Sequence, residues 1–371
     1  MFNSLLTKDH VTSALMQDGN CHNEVPLVGL EMLLFGHDTD FVQALTTVLL
    51  MAGSPAQLKT VYEHNVTSLK PWAIAPGRVN CIEDQQRHLG DSRYLVMIFW
   101  PQWNNEAHRE GEHRYQRAYM DFFSMQHGHF KGSYKALLDA RLICGPQPLM
   151  YGFLGGFGRA MITLSDSMEV RNPILVVQSL VLASVDYSNA ICAILSDSRF
   201  DQPHEAPLNP ELIIGRIAYD GRFSLNISGP GFQHAAAVLS NPAARSAILG
   251  YVHHLDTTNV QELLEQLSRV SVLMLCAAHK KDLPAFDMYL SRPISLVQSL
   301  RVLLQECHQL KTSFIRGTWL LFILVYIAQL RPYLDKSLVW SFPLPEERST
   351  WDHFYVEPLL LLRLERDDCR G

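Results

Sequence analysis

Four short groups of side chains in this sequence combine polarity with close spacing, and each suggests a different chemistry. His37-Asp38-Thr39-Asp40 mixes imidazole and carboxylate at what reads as a helix start, where Asp is a common cap and where pocket chemistry is the alternative. His127-Gly128-His129 places two imidazoles two residues apart; on a helix they point about 200° apart, so they share a metal only in an extended or turn conformation. His253-His254 is an adjacent pair, and adjacent side chains rarely converge on one ion. Gly155-Gly156-Phe157-Gly158 is glycine-rich, but no strand precedes it and no acidic residue follows at the distance a dinucleotide fold needs, so it reads as a close packing or a turn. The sequence has no P-loop, no GxSxG elbow and no HExxH.

The elements that must position these groups are helices. Phe41, Leu45, Val48, Leu49 and Ala52 share one helical face that stops at Gly53, and Ser54-Pro55-Ala56-Gln57 then supplies a capping hydroxyl, a proline at the first turn and a glutamine that reaches back. Thr258-Asn259-Val260-Gln261 offers another cap, followed by Val260, Leu263, Leu264, Leu267 and Val270 at helical spacing. Apolar faces recur over 118–142, 174–195, 294–307 and 314–330. The one hairpin signal is Asp220-Gly221 between the alternating runs Arg216–Tyr219 and Arg222–Ile227. The expected fold is therefore mainly α, a single helical domain over 27–371 with at most one small β-hairpin near 216–227, after an N-terminal segment 1–26.

Composition narrows the partners. The 371 residues are 47% hydrophobic and 18% charged with a net charge of -6, enough apolar material for a large core and no basic tract to neutralise a phosphate backbone. No nucleic-acid partner is expected. Seven scattered cysteines with no CxxC spacing signal neither a disulfide framework nor a zinc knuckle, and the N-terminus lacks the order of a secretory signal, so a cytoplasmic location is expected. Trp319–Ala328 is too short to span a bilayer, and 173–195 carries Gln178, Asp186 and Asn189, so both read as buried helices and no membrane is expected.

Several stretches in collinear order resemble one family. They are Tyr119-Met-Asp-Phe122-Phe123, Gly145-Pro-Gln147-Pro148-Leu, Gln178-Ser-Leu-Val-Leu-Ala, Pro284-Ala-Phe-Asp287-Met-Tyr-Leu290 running on through Pro293 to Leu304, and Thr318–Tyr326 leading to Arg331-Pro332. Over roughly residues 27 to 365 the chain resembles the questin oxidase-like group, which includes Baeyer–Villiger-type oxidases of fungal aromatic polyketide pathways such as that to aflatoxin. The resemblance implies oxygen-dependent opening of anthraquinone-type rings, assigned in some members to a histidine-bound iron, with NADPH as a possible reductant. The cofactor is otherwise unknown.

The departures from the family pattern shape the expected site. Gln147 and Tyr151 stand where the resemblance has histidines, Phe157 where it has a glutamate, Asp186 and Arg292 where it has further histidines, and Gln178 where it has another glutamate. Its early histidines fall near Gln43 and Ala44, and its late lysine has no counterpart, since Lys336 is the last lysine. A guanidinium stays protonated and has no lone pair for a cation, so no metal site is expected and iron is disfavoured.

The expected catalytic residues are Asp186, Arg292 and Tyr151, with Gln147, Gln178, His37 and Gln43 binding substrate. In the functional reading Arg292 holds an enolate or carboxylate and Asp186 acts as a base; in the structural one Arg292 and Asp186 form a buried ion pair. Residues that replace the ligands of one metal are expected to converge on one cavity. The implied function is oxidative tailoring of a polycyclic aromatic or quinone-like polyketide. A metal-free cyclase, isomerase or hydro-lyase and a non-catalytic pocket protein are the alternatives. The substrate and the oligomeric state are left open.

Overall fold

The computed structural model describes residues 54–66, 116–142, 149–201, 207–225, 229–279 and 286–340, with a few more between 44 and 51. Within these residues the chain is mainly α-helical and contains no strand. Helix α1, Pro55–Val66, begins as its sequence suggests: the Ser54 N–H donates to Gln57 Oε1 at 2.7 Å and the Gln57 N–H to Ser54 Oγ at 3.3 Å, a reciprocal capping box. The periodicity over 118–142 is divided between α2, Gln116–His129, and α3, Tyr134–Leu142. The break comes where Lys131 and Gly132 adopt left-handed backbone, φ 52° and 75°.

Two short 3-10 segments, Leu149–Leu154 and Gly156–Gly158, lead into α4, Arg159–Glu169. Helix α5, Pro173–Val185, returns along α4, and α6, Asn189–Leu195, leaves at a 93° bend. The single apolar helix expected over 174–195 is therefore two, because Asp186 ends the first and Ser188 caps the second by accepting from the Ile191 N–H. Helices α7, Pro210–Ala218, and α9, Pro242–His253, share with α5 an asparagine cap followed by a proline at the first turn, where the missing N–H is harmless. Between α7 and α9 lies α8, Phe232–Ser240.

The possible hairpin at 216–227 is not one among the residues described there. Arg216 to Ala218 close α7, and the Asp220 carboxylate accepts from the Arg222 N–H to start a 3-10 turn, Gly221–Phe223. The physical reason is remote in sequence. Arg331 donates to the carbonyls of Ile217, Ala218 and Asp220, so it satisfies a helix end rather than leaving a turn to pair strands.

Helix α10, Val260–Cys276, is capped by Asn259, and α11, Met288–Glu306, by Asp287, which accepts from the Tyr289 and Leu290 N–H groups at 2.7 and 3.0 Å. Helix α12, Lys311–Ala328, then passes through the centre against α7, α8, α9 and α11, and a short α13, Lys336–Trp340, follows. Every residue from Gly317 to Ala328 is buried. His308–Ala328 is long and apolar enough to cross a membrane, with mean hydropathy 1.4 over its most apolar 18 residues, yet 78% of that window is buried, as in a core helix.

Candidate functional site

Buried polar side chains are concentrated in one place. Of the fourteen buried polar or charged residues among those described, nine belong to α4, α5 or the cap that ends α5: Arg159, Thr163, Ser165, Asp166, Ser167, Gln178, Ser179, Ser184 and Asp186. A polar group in a core must be paired or it destabilises the fold, so this hairpin is where the sequence departs most from simple core packing. Several of these groups are satisfied at home. Ser167, Ser179 and Ser184 each donate to a carbonyl one turn back on their own helix.

The centre of the hairpin is an ion pair. Asp186 has no exposed surface, and Arg159 grips it through Nε at 3.0 Å and Nη2 at 2.7 Å to each oxygen. Burial pushes the Asp186 carboxyl upward, and the guanidinium opposes that shift. Arg159 opens α4 and Asp186 closes α5, so each charge is unfavourable toward its own helix dipole and favourable toward its partner's. The guanidinium on Asp186 is thus Arg159, not Arg292 as the structural reading of the sequence had it. Arg159 sits directly after the glycine-rich stretch, a signal that was present but gave no hint of a partner 27 residues on.

The glycines explain how the pair is enclosed. A Cβ on Gly155 would stand 1.7 Å from the Asp186 carbonyl oxygen, and one on Gly156 would stand 2.3 Å from Asp186 Oδ2. Gly156, Phe157 and Gly158 follow one another in left-handed backbone at φ 53°, 53° and 78°, the middle one with a side chain that disfavours it. The turn brings backbone against the carboxylate and delivers Arg159 to it. The reading of Gly155–Gly158 as a close packing or turn matches this geometry.

Tyr151 lies half-buried on the first 3-10 segment, which runs along the end of α5 with Gly152 pressed to the Ala183 carbonyl. Its phenol is raised by burial and then by Cys192 of α6. Tyr187, next to Asp186, is almost wholly buried beside the same thiol and the Tyr151 phenol, and burial raises it further. Tyr151 and Asp186 therefore share a neighbourhood, joined by Tyr187 and Cys192, which sequence reasoning did not select. Gln178 is buried in α5, eight residues before Asp186.

Arg292 sits half-buried on α11, close enough to Tyr289 to act on its phenol. Leu296, one turn further along α11, is the residue a Cβ on Gly158 would strike, so α11 passes the left-handed turn without bringing Arg292 onto Asp186. Gln147, His37 and Gln43 lie outside the described residues.

One further group was not legible in the sequence. Asp166, two turns beyond Arg159 on α4, is 7% exposed, its Oδ2 lacks a hydrogen-bond partner, and burial with the charge of Glu169 raises it to about 7. Glu169 itself accepts from Gln298 on α11 at 3.4 Å. A carboxyl poised near neutrality in a core is the kind of group that can exchange a proton.

Iron does not fit the residues described here. No three His, Cys, Asp or Glu side chains among them gather as a metal site would require, and Asp186 is occupied by a cation already. His127 and His129 end α2, where His129 Nδ1 meets the Met125 carbonyl at 3.2 Å. His253 and His254 end α9, their rings crossing edge to face at 6.1 Å.

A helical protein with a polar, glycine-cradled hairpin in its core is the class these observations define. The chain belongs to the questin oxidase-like family, whose model matches residues 40–359. That span lies within the 27 to 365 over which the sequence motifs resemble it. A search among proteins of curated function returned no significant match.

Proposed function

We propose that the protein is an oxidoreductase that tailors a polycyclic aromatic or quinone-like polyketide in fungal secondary metabolism, by oxidative modification or cleavage of a ring. The observation that carries this reading is membership of the questin oxidase-like family along most of the chain. In support, Tyr151, Tyr187 and Cys192 form a phenol–thiol cluster beside an apolar core, suited to hydrogen-bonding a phenol or ring carbonyl. Arg292 and Gln178 remain the further candidates for holding substrate.

A second reading is non-oxidative. Both Asp186 oxygens are committed to Arg159, which leaves Asp166 as the carboxyl able to move a proton near neutral pH in a metal-free cyclase, isomerase or hydro-lyase. The two readings differ in electron balance. Insertion of oxygen into a ring ketone consumes O2, NADPH and a proton and yields an ester, water and NADP+, whereas an isomerisation or dehydration consumes neither O2 nor NADPH.

The test supplies a hydroxyanthraquinone with and without NADPH and follows oxygen uptake and product mass. Incorporation of one labelled atom from 18O2, with matching oxygen uptake, is the expected result. A product isomeric with the substrate, or lighter by water, formed without oxygen uptake would replace it with the second reading.

A further inference from the structure

A recess of about 400 Å³ opens at the far end of α12 from the left-handed turn, lined by Phe223, Ser224, Leu225, His234, Leu330 and Arg331. Leu321, which a Cβ on Gly158 would meet, and Ala328 are about 10 Å apart along the helix axis, so this recess is separate from the α4–α5 hairpin. Its volume is at the small end of ligand sites, enough for one or two rings.

Its wall is built around a fixed cation. The Arg331 Nη1 donates to the Ile217, Ala218 and Asp220 carbonyls and Nη2 to Ser224 Oγ at 3.0 Å, while its buried Nε–H has no partner. The guanidinium carbon stands 6.0 Å from the centre of the Phe223 ring. Leu330 and Arg331 both adopt left-handed backbone, φ 62° and 55°, which side chains disfavour. These two residues close α12, the Arg331 N–H donating to the Tyr326 carbonyl at 3.0 Å, and the same turn fixes the Arg331 side chain at the recess.

His234 is 3% exposed, with neither ring nitrogen in a hydrogen bond; the Phe223 carbonyl approaches without reaching bonding geometry. Burial lowers the imidazole, the Phe223 carbonyl opposes that shift and the charge of Arg331 adds to it, so the uncharged ring is favoured. A buried donor with nothing to bind destabilises the empty protein, and a ligand oxygen in the recess would relieve that. Among the described residues no carboxylate lines the recess. The nearby Asp220 carboxylate is taken by Arg222 and the Tyr251 hydroxyl.

We propose that this recess binds a small aromatic carboxylate, its ring against Phe223, Leu225 and Leu330 and its charge on Arg331. The site goes beyond the oxidative reading and does not depend on it. Because Arg331 also ties down the end of α7, the variant to use is Ser224→Glu on the exposed rim, which tethers a carboxylate where the ligand's would lie. Calorimetric titration of the full chain with benzoate should show saturable one-to-one binding, at least about tenfold tighter than the neutral isostere benzamide and at least about tenfold weaker in Ser224→Glu. The His234 ring proton signals should shift on adding benzoate to the wild type and stay put in the variant, whose melting temperature should match the wild type. Failure of benzoate to saturate, equal binding of benzamide, or unchanged binding in Ser224→Glu would overturn the proposal.

Discussion

Helices α5 and α12 are both apolar enough to disappear into the core, but they do so differently. From Gly317 to Ala328 the only buried polar side chain on α12 is Thr318, and its weak partner is the Met161 sulfur at 3.7 Å. Around it Trp319, Phe322 and Tyr326 are almost wholly enclosed, and the polar ends of Trp319 and Tyr326 reach the Tyr251 and Pro332 carbonyls. Helix α5, with α4 beside it, instead hides an ion pair, an under-partnered carboxyl and a run of serines. A core helix such as α12 gains stability from each side chain it buries, about 1.5–3 kcal/mol for a large apolar one. The α4–α5 hairpin must instead offset desolvation at each polar group, and that expense is hard to account for by folding alone.

The sharpest way to break this contrast is to remove one half of the ion pair. Arg159→Met leaves Asp186 buried without its cation, and the expected loss is about 3–5 kcal/mol, read by chemical denaturation. Arg159→Met combined with Asp186→Leu should recover most of that loss, because the uncompensated charge is gone. If the double variant folds as well as the wild type but loses turnover of an aromatic substrate while keeping its binding, the pair serves chemistry. A double variant as active as the wild type would make the pair structural.

How much of this was legible beforehand differs between the two regions. The helix α12 could be read from its unbroken apolar run, and α1, α10 and α11 start at caps whose residue types announce them. Asn-Pro at 172–173, 209–210 and 241–242 marks three more helix starts. What periodicity could not convey is tertiary satisfaction of polar groups. Asp220-Gly221 has the composition of a hairpin turn, but Arg331, more than a hundred residues away, makes it a helix end. Asp186 was selected by resemblance, yet its partner was misjudged, since nothing local distinguishes Arg159 from Arg292. Asp166 could not be selected at all, because its unusual protonation arises from burial between helices and not from any motif.

Asp166 gives the next prediction, smaller and dependent on pH. The unfolded chain ionises this carboxyl near 3.8, whereas the folded protein holds the proton until about 7. Between those values the unfolded state has released a proton that the folded state keeps, so stability falls as pH rises through the window. Well below pH 4 both states are protonated and the penalty vanishes; well above pH 7 it is complete. Asp166→Asn should therefore leave stability unchanged near pH 2.5 and raise it by about 2–4 kcal/mol at pH 8, measured by denaturation at both values. An equal effect at both values would mean that the carboxyl is not protonated in the folded protein, and would remove the observation that favours the non-oxidative reading.

The smallest effect sits where α4 meets α11, and it tests whether the hairpin's serines are arranged or incidental. Ser165 Oγ lies 2.8 Å from both the Ile162 carbonyl and Ser299 Oγ, and all three are buried. A hydroxyl has one proton to give, and the Ile162 carbonyl can only accept, so Ser165 donates to that carbonyl and Ser299 donates to Ser165. The two truncations are then unequal. Ser299→Ala removes a donor and leaves Ser165 with its bond to Ile162, at a cost of about 0.5–1 kcal/mol. Ser165→Ala strands the Ser299 hydroxyl in the core and should cost more, about 1–3 kcal/mol. The double variant should lose less than the sum of the two, since the stranded donor is gone. Strict additivity in such a cycle would show the serines to be independent, and the polar character of this hairpin would then rest on Arg159, Asp186 and Asp166 alone.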